Sequence, residues 1–412
     1  MRFLSSIKDL KGKTALLRAD LDAPHENGKI LDDFRIKSSV PTIKDLLAKG
    51  AGIIIVSKTG KPKGSPESAD SLQEQGRILA GMLGCEFVKA DGQSIDPSIS
   101  GKKRLIFFGQ SILDSATQAQ VKKASASDIV ILENIRFYRE EIDADPAFAK
   151  MLASLADVYV NDAFAMMHRN EASVSVVENF LPSYAGLNVE KEISGLNKLL
   201  TLNAQPFLVI IGGAKISDKV GTIKNLGKQA ANILVGGGPA NLFLLAKGYE
   251  IGDSLCERDQ INVAQDLMRN FKDKIILPVD MVVADKNDHA KLRVSSPDQI
   301  SKNEQILDIG PQTILLFSKY IKAAKKMVWN GPMGLFEEKS FSHGTMSIAS
   351  IYAARCKGFA YGVVGGGDTL EAINKAKVAD QIDFVSTAGS ATLDYLAGEQ
   401  LPGLIALERS KI

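Results

Sequence analysis

Short apolar runs rich in valine, isoleucine and leucine alternate along this chain with longer amphipathic stretches. Continuous apolar runs indicate strands buried on both faces, and their alternation with helices is typical of parallel sheets covered by helices. The pattern therefore predicts an α/β protein. Strands are predicted at 14–19, 52–57, 128–133 and 157–162 in the first half, and at 207–212, 232–237, 326–331, 361–366 and 383–388 in the second.

The length and hydrophobic content favour two domains. A chain of 412 residues that is 45% hydrophobic can bury two cores. We predict two Rossmann-like lobes of βα units joined by a hinge helix at 183–202, where Val189, Ile193, Leu196 and Leu200 recur at helical spacing. The first lobe covers 1–182 and the second 203–397. The apolar segment 398–412 is expected to pack back on the first lobe.

Charge and cysteine usage narrow the possible partners. Fifty basic and 48 acidic residues leave a formal net charge of +2, which gives no reason to expect a nucleic acid or membrane partner. Three dispersed cysteines indicate neither a disulfide framework nor a zinc site. No apolar run approaches the roughly 20 residues that span a bilayer. We expect a soluble, cytoplasmic protein without a targeting segment.

Glycine-rich segments follow four of the predicted strands in the second half. They are Gly212–Lys215, Gly236–Pro239, Asn330–Gly334 and Gly365–Thr369. Glycine exposes backbone amide groups, and a following helix amino terminus attracts anions, so such segments suit phosphates. One such segment alone would more simply be a tight turn, but four of them with Lys215 and Lys219 predict a polyphosphate site. Neither the P-loop nor the dinucleotide fingerprint is present. Asp368 fits either a Mg²⁺ ligand or a helix N-cap, or both.

Charged residues follow the predicted strands of the first half instead. They include Asp20 and Asp22, Lys58, Lys61 and Lys63, Arg136 and Arg139, and His168 and Arg169, with Arg35 opening the first predicted helix. Cations that recur after several strands predict one basic pocket for a small, multiply anionic molecule. Two such lobes describe an enzyme that moves a phosphoryl group between two anions, with lobe closure excluding water.

Specific stretches resemble the phosphoglycerate kinase family from end to end. They include LRADLDAPHENGKILDDFRIK, ILENIRFYREE, IIGGAKISDKVGTIKNL, DIGPQTILLF, VWNGPMGLFE and VGGGDT. The resemblance implies a reversible phosphoryl transfer from 1,3-bisphosphoglycerate to ADP that gives 3-phosphoglycerate and ATP. It also implies Mg²⁺ bound with the nucleotide, and a monomer.

The resemblance implies a role for individual residues. The positions that would face the glycerate substrate are Asp20, Leu21, Asp22, Arg35, Lys58, Thr59, Gly60, Lys61, Arg136, His168 and Arg169. The positions that would face the nucleotide are Gly213, Lys215, Lys219, Gly236, Gly237, Gly238, Gly310, Asn330, Pro332, Glu337, Gly366, Gly367, Asp368 and Thr369. Arg35 and Lys215 would be catalytic, and Asp368 would bind Mg²⁺. Gly236–Gly238 with Gly310 would line the base pocket, and Glu337 would hold the ribose.

Several substrate-facing positions depart from the family pattern. The family usually has D-x-N-V-P and S-H-L-G-R-P where this chain has DLDAP at 20–24 and SKTGKP at 57–62. The changes at Asp22 and Lys58 add opposite charges, so we predict that the two side chains form a pair. Lysine at 61 cannot grip an anion with two parallel hydrogen bonds as arginine does. In AFAMMHRNE, where A-F-G-T-A-H-R-A-H is common, Met166 and Met167 are predicted to pack in the core.

Two other readings of the sequence stay open. An apolar strand followed by Asp20-x-Asp22 also opens the haloacid-dehalogenase phosphatases, in which the first aspartate is the nucleophile. Alternatively, the altered first-lobe pocket has turned the chain into a nucleotide-binding scaffold without catalysis. The sequence does not decide between adenine and guanine nucleotides.

Overall fold

The chain folds into two compact units. The computed structural model describes residues 1–26, 29–90, 103–126 and 128–410. The first unit comprises Met1–Ile193 and Gln400–Ile412, and the second comprises Ser194–Glu399. Each unit is built around its own parallel sheet.

A seven-stranded parallel sheet forms the centre of the first unit, with order β5-β6-β7-β4-β1-β8-β9. The strands are β1 (Thr14–Arg18), β2 (His25–Glu26), β3 (Lys29–Ile30), β4 (Gly52–Val56), β5 (Glu86–Ala90), β6 (Arg104–Phe108), β7 (Ile129–Leu132), β8 (Val158–Asn161) and β9 (Ser183–Ala185). Strands β2 and β3 form a separate antiparallel ribbon. The helices are α1 (Phe34–Ala48), α2 (Gln73–Leu83), α3 (Ser115–Ser125), α4 (Arg139–Ile142) and α5 (Pro146–Ala153).

The register of the first sheet brings the ends of its central strands level. Arg18 at the end of β1 pairs with Val56 of β4 on one side and with Asn161 of β8 on the other. Ile55 of β4 pairs with Ile131 of β7. Because all these strands are parallel, the segments that follow β1, β4, β7 and β8 emerge at the same edge of the sheet.

The second unit contains a six-stranded parallel sheet of order β12-β11-β10-β16-β17-β18 and a three-stranded antiparallel sheet of order β14-β13-β15. The strands are β10 (Phe207–Ile211), β11 (Asn232–Val235), β12 (Ile275–Ile276), β13 (Met281–Asp285), β14 (Asp288–Ser295), β15 (Glu304–Ile309), β16 (Lys326–Asn330), β17 (Tyr361–Gly365) and β18 (Phe384–Val385). The helices are α6 (Leu187–Thr201), whose sequence crosses the boundary between the units, α7 (Val220–Gln229), α8 (Gly237–Ala246), α9 (Ile261–Asn270), α10 (Pro311–Ala323), α11 (His343–Cys356), α12 (Gly367–Lys375) and α13 (Ser390–Ala397).

The final helix, α14 (Pro402–Arg409), belongs to the first unit. The Gly403 amide group donates a hydrogen bond to the Met167 carbonyl oxygen at 3.0 Å. A Cβ atom at residue 403 would lie 3.1 Å from side-chain atoms of Met167 and Val174, so the helix packs closely there. The apolar tail is therefore part of the first core.

The predicted fold class is confirmed, since two parallel sheets flanked by helices form the molecule. All nine predicted strands are present, but the ribbon β2–β3, strands β5, β6 and β12, and the antiparallel sheet of the second unit were not predicted. The helix expected at 183–202 begins only at Leu187, because Ser183–Ala185 pairs with β8 as strand β9. In the part of the chain that the structure describes, every helix is too short or too polar to cross a bilayer.

Candidate functional site

Asp22 is the centre of a charged cluster at the strand ends of the first unit. Its carboxylate accepts hydrogen bonds from Lys58 Nζ, from the Gly60 amide group at 3.1 Å and from Arg35 Nη1 at 3.4 Å. Arg35 Nη1 also lies 3.8 Å from Asp20 Oδ1. The predicted pair between Asp22 and Lys58 is present. Burial lowers the pKa of Lys58, although the charge of Asp22 opposes this effect.

Two predicted substrate residues beside this cluster have fully buried side chains. Leu21 and Thr59 are both inaccessible to solvent. The Leu21 amide group donates to Ser57 Oγ at 3.0 Å, and the Thr59 carbonyl oxygen accepts from Asn134 Nδ2 at 2.8 Å. Both residues therefore shape the segments that carry Asp22 and Lys58, and neither side chain is presented to a ligand from bulk solvent.

Arg136, which follows β7, is held by a carboxylate that the sequence analysis did not assign. Its Nη2 atom donates to Glu171 Oε1 at 2.5 Å, and Glu171 is 3% exposed. Glu171 stands where the family pattern quoted above has its second histidine, which was the only sequence signal for it. The pairing places a buried negative charge directly behind a cation predicted to bind substrate.

Lys61 and Arg169 differ from the paired cations. Both are exposed, and within the described residues neither forms an ion pair. His168 is half-buried. Met166 and Met167 are buried, which confirms their predicted packing role. An anionic ligand of the first unit would therefore find Lys61 and Arg169 available, whereas Arg35, Lys58 and Arg136 already face internal carboxylates.

The glycine segments of the second unit pack against one another through their backbones. The Gly213 amide group donates to the Pro332 carbonyl oxygen at 2.7 Å, and the Gly238 amide group donates to the Gly213 carbonyl oxygen at 2.8 Å. A Cβ atom at Gly237, where φ is +58°, would lie 2.5 Å from that same Gly213 oxygen. Glycine is required at these positions because the loops approach too closely for any side chain.

Amide groups of one predicted phosphate segment, and of the residues that follow another, are already hydrogen-bonded within the protein. At the start of α8, the Gly237 and Gly238 amide groups donate to the carbonyl oxygens of Met333 and Gly213, and Pro239 has no amide hydrogen. After Lys215, the amide groups of Ile216 and Ser217 donate to the Glu257 carboxylate at 2.6 and 3.0 Å. At the start of α8, the tight-turn alternative that was weighed for the glycines accounts for these backbone contacts.

The amino terminus of α12 is the open one. Gly366 is its N-cap with φ +97°, and Gly367 and Asp368 are exposed. The first amide groups of a helix have no acceptor inside it, and the described residues supply none to those of 367–369. The N-cap is Gly366 and Asp368 lies within the first turn of the helix, so the N-cap role considered for Asp368 is wrong. The Thr369 hydroxyl oxygen accepts from the Gly331 amide group at 2.7 Å and points inward.

Lys219 lies near this open helix end and is hydrogen-bonded to the backbone of Lys215. Lys215 is exposed, whereas Lys219 is buried and its Nζ donates to the Lys215 carbonyl oxygen at 3.0 Å. Burial lowers the pKa of Lys219, and the nearby carboxylates of Asp218, Asp368 and Glu257 counteract that effect. Asp368 is thus close enough to Lys219 to interact electrostatically with it.

A cavity of about 250 Å³ adjoins Asp368 in the second unit. The predicted nucleotide residues that line it are Gly213, Gly237, Gly238, Pro332, Glu337 and Asp368. Apolar side chains line the rest of it, among them Leu244, Leu255, Met281, Met333 and Leu335. An apolar cleft with a few polar groups suits a planar base with a polar sugar.

Three further positions of the second unit differ in their surroundings, and only one of them lines the cavity. Gly310 packs on Asp280, since a Cβ atom there would lie 2.3 Å from that carboxyl carbon, and its neighbour Ile309 lines the cavity instead. Asn330 is buried and its Nδ2 donates to the Gly365 carbonyl oxygen at 2.8 Å. Asp308, which the sequence analysis did not single out, lines the cavity, and burial raises its pKa to about 7.

The residues present fit a magnesium ion bound together with a nucleotide. Among the described residues, no group of three or more His, Cys, Asp or Glu side chains could hold a metal ion alone. Mg²⁺ is commonly bound through one or two carboxylates together with substrate phosphates. Asp368 supplies one exposed carboxylate oxygen donor for such an ion, and the free helix amide groups beside it can bind the phosphate whose oxygens would supply further ligands.

The second unit has the architecture of the nucleotide-binding α/β class, in which ligands bind beyond the carboxyl ends of parallel strands. Comparison with known proteins identifies the particular family. The chain belongs to the phosphoglycerate kinase family, whose model matches residues 4–399. The prediction of a kinase is thereby confirmed, and the chain is not assigned to the phosphatases that were considered.

Similar proteins extend over the whole chain. A phosphoglycerate kinase of Pelotomaculum thermopropionicum is 43% identical over 403 residues, covering 97% of each chain, and one of Dictyoglomus turgidum is 41% identical over 408 residues with the same coverage. The phosphoglycerate kinase structure from Coxiella burnetii has a TM-score of 0.79 at 35% identity and covers 99% of each chain. That from Pyrococcus horikoshii has a TM-score of 0.83 at 30% identity, covering 100% of this chain and 99% of that one.

Proposed function

We propose that this protein reversibly transfers a phosphoryl group from 1,3-bisphosphoglycerate to Mg·ADP, giving 3-phosphoglycerate and ATP. The first unit binds the glycerate and the second binds the nucleotide. The open amino terminus of α12, next to an apolar cavity and to Lys219, is the observation that carries this proposal. The family match along residues 4–399 supports the choice of reaction.

The proposed orientation of the nucleotide in the second unit runs from its base in the cavity to its phosphates at α12. The base occupies the apolar cavity, Glu337 receives the ribose, and the phosphates extend to the amide groups that begin α12, with Lys215 and Lys219 nearby. Asp368 would hold Mg²⁺, and the bound ion would neutralise part of the phosphate charge. Gly236 and Gly238 contribute by letting the loops close behind the ligand rather than by donating hydrogen bonds to it.

The glycerate is an anion that must compete with internal carboxylates. Lys61 and Arg169 are exposed and can bind it directly. Three further cations can bind it only if they divide their hydrogen bonds between the substrate and the carboxylates of Asp22 and Glu171, or give up those carboxylates. They are Arg35, Lys58 and Arg136. His168 and the backbone of 59–60 complete the predicted set. We therefore expect substrate affinity to depend on these internal pairs.

Catalysis rests on positioning and charge. Phosphoryl transfer requires little covalent chemistry from the protein and is accelerated by cations on the transferring group. Arg35 and Lys215 are proposed to supply that charge, and lobe closure to exclude water stays part of the proposal. A monomer is also part of the proposal, as is action in the cytoplasm, which three free, dispersed cysteines support.

A coupled assay with 3-phosphoglycerate and Mg·ATP tests the proposal. Turnover that requires both substrates and magnesium is the expected result. Binding of ADP without turnover would instead support the non-catalytic scaffold. Borohydride trapping of a phosphoaspartate at Asp20 would revive the phosphatase reading. The same assay with Mg·GTP measures the base preference.

A further inference from the structure

The Glu257 carboxylate is hydrogen-bonded to the segment that follows Lys215. Oε2 accepts from the amide groups of Ile216 and Ser217 at 2.6 and 3.0 Å, and Oε1 accepts from Ser217 Oγ at 2.7 Å. Because two adjacent residues donate three hydrogen bonds to one carboxylate, that segment has little freedom to move. Burial opposes ionisation of Glu257, but these hydrogen bonds outweigh it and place the pKa of the group below its usual value.

The Lys215 backbone is consequently held from both sides. Its carbonyl oxygen accepts from Lys219 Nζ at 3.0 Å, and the next two amide groups are bound by Glu257. The Lys215 side chain itself stays exposed. A fixed backbone with a free side chain is what a lysine needs if it must reach one point in space reproducibly.

The segment that carries Glu257 also forms part of the cavity wall. Leu255, two residues earlier, lines the cavity although 62% of its surface is exposed. Its carbonyl oxygen accepts from the Nδ2 atom of Asn241, another lining residue, at 3.0 Å. Residues 255–257 therefore connect the wall of the base pocket directly to the Lys215 segment.

We propose that Glu257 is a positioning residue for Lys215, and that it couples occupation of the base pocket to the placement of that lysine. The inference rests on the proposed function, because it assigns Glu257 a role in the same phosphoryl transfer. Glu257 touches neither substrate nor Mg²⁺ in this scheme. It acts on the reaction only through the backbone of residues 215–217.

A double-mutant cycle between Glu257→Ala and Lys215→Ala tests the proposal. Glu257→Ala is expected to lower kcat about tenfold in the otherwise unchanged protein and less than about twofold in the Lys215→Ala background, because residues that act as a unit are not additive. Glu257→Asp should restore part of the rate. Asp259→Asn, which removes an exposed carboxylate two residues away, is the matched control and should leave kcat unchanged.

Each outcome of the cycle either supports or overturns the positioning role of Glu257. An equal loss in both backgrounds, or no loss in either, overturns the positioning role. If Glu257→Ala fails to fold, Glu257→Gln replaces it in the same cycle, because glutamine keeps the length and one acceptor oxygen. Absence of turnover in the unchanged protein would overturn the proposed function itself, whereas additivity in an active protein overturns this inference alone.

Discussion

Arg35, Lys58 and Arg136 each have a carboxylate partner inside the first unit. When one member of such a partly buried pair is removed, the attraction is lost and the remaining charge is left desolvated without its partner. An incoming anion therefore meets a pocket whose cations are already partly neutralised. We expect the departures at Asp22 and Lys58 to act together rather than separately.

The first prediction concerns that pair. In a double-mutant cycle of Asp22→Asn and Lys58→His, kcat/KM for 3-phosphoglycerate should show a coupling of roughly 0.5–3 kcal/mol, because the two side chains are in direct contact. The matched control is Glu74→Gln with Arg77→Gln, an exposed pair on α2. Additive effects at 22 and 58 would remove the case for compensation.

The second prediction concerns Lys215 alone. Lys215→Ala should lower kcat on the order of 10³-fold and leave ADP affinity within about tenfold, as expected for an interaction made mainly in the transition state. Lys224→Ala on α7 removes another exposed lysine and serves as the control. Steady-state kinetics and an ADP titration separate the two effects; near-normal turnover would contradict the assignment.

Sequence reasoning at the residue scale succeeded where two changes were complementary. Opposite charges at 22 and 58 predicted their pairing, which the structure contains. Glu171 and Glu257 were not assigned in the same way, because no complementary change of charge pointed to their partners, although the sequence separations are similar to the one between Asp22 and Lys58. Such pairs depend on which strand ends become neighbours, and a single sequence does not specify that.

At the scale of elements, α8 and α12 begin with similar glycine-rich sequences but offer different surfaces. The first amide groups of α8 donate hydrogen bonds to the carbonyl oxygens of Met333 and Gly213. At the start of α12, by contrast, a Cβ atom at Gly367 would meet no atom within 4 Å. Helix amino termini bind anions only where their amide groups are free. The glycine pattern alone therefore does not distinguish a helix start whose amide groups are occupied from one whose amide groups are free.

The third prediction compares two adjacent glycines of α12. Gly366 has φ +97° and a Cβ atom there would lie 2.8 Å from Asn330 Nδ2, so Gly366→Ala should cost roughly 1–3 kcal/mol of stability. A Cβ atom at Gly367 meets nothing within 4 Å. Gly367→Ala should keep the melting temperature and weaken Mg·ADP binding about tenfold, or about 1.4 kcal/mol, because its methyl group occupies the phosphate approach.

Thermal melts and ADP titrations of both variants measure these effects. Unchanged ADP affinity in a stable Gly367→Ala protein would show that phosphate binds elsewhere in the second unit.

Two of the missed strands, β5 and β14, have weak hydrophobic patterns, whereas β6 is fully buried and was missed despite its apolar run. Strand β14 is mostly exposed, and it forms because β13 pairs with it along its length. Strand β5 lies at a sheet edge and is only partly buried. The nine predicted strands, by contrast, are mostly buried apolar runs whose pattern depends little on their neighbours.

Considered as a whole, the molecule carries buried carboxyl groups in both units. Burial raises the pKa of Asp162 to about 8 and that of Glu141 to about 7 in the first unit, and that of Asp308 to about 7 in the second. A folded state that binds protons more tightly than the unfolded state loses stability as the pH rises. For Asp162 this loss extends from its ordinary pKa of 3.8 to about 8.

The fourth prediction follows from that sign. The melting temperature of the unchanged protein should fall between pH 5 and pH 8, and the fall should be smaller in Asp162→Asn, which cannot ionise. The exposed Asp143→Asn is the control in the same unit. Melting curves at several pH values decide the question, and parallel slopes for all three proteins would contradict it.

The return of α14 to the first unit has a consequence for biosynthesis. A ribosome makes residues 400–410 only after it has made all of 194–399, yet Gly403 packs beside Met167, next to His168 and Arg169. The second unit is continuous in sequence, so it can fold before α14 is available to pack on the first unit. A nascent chain thus completes the packing around Met167 only after the second unit has been made.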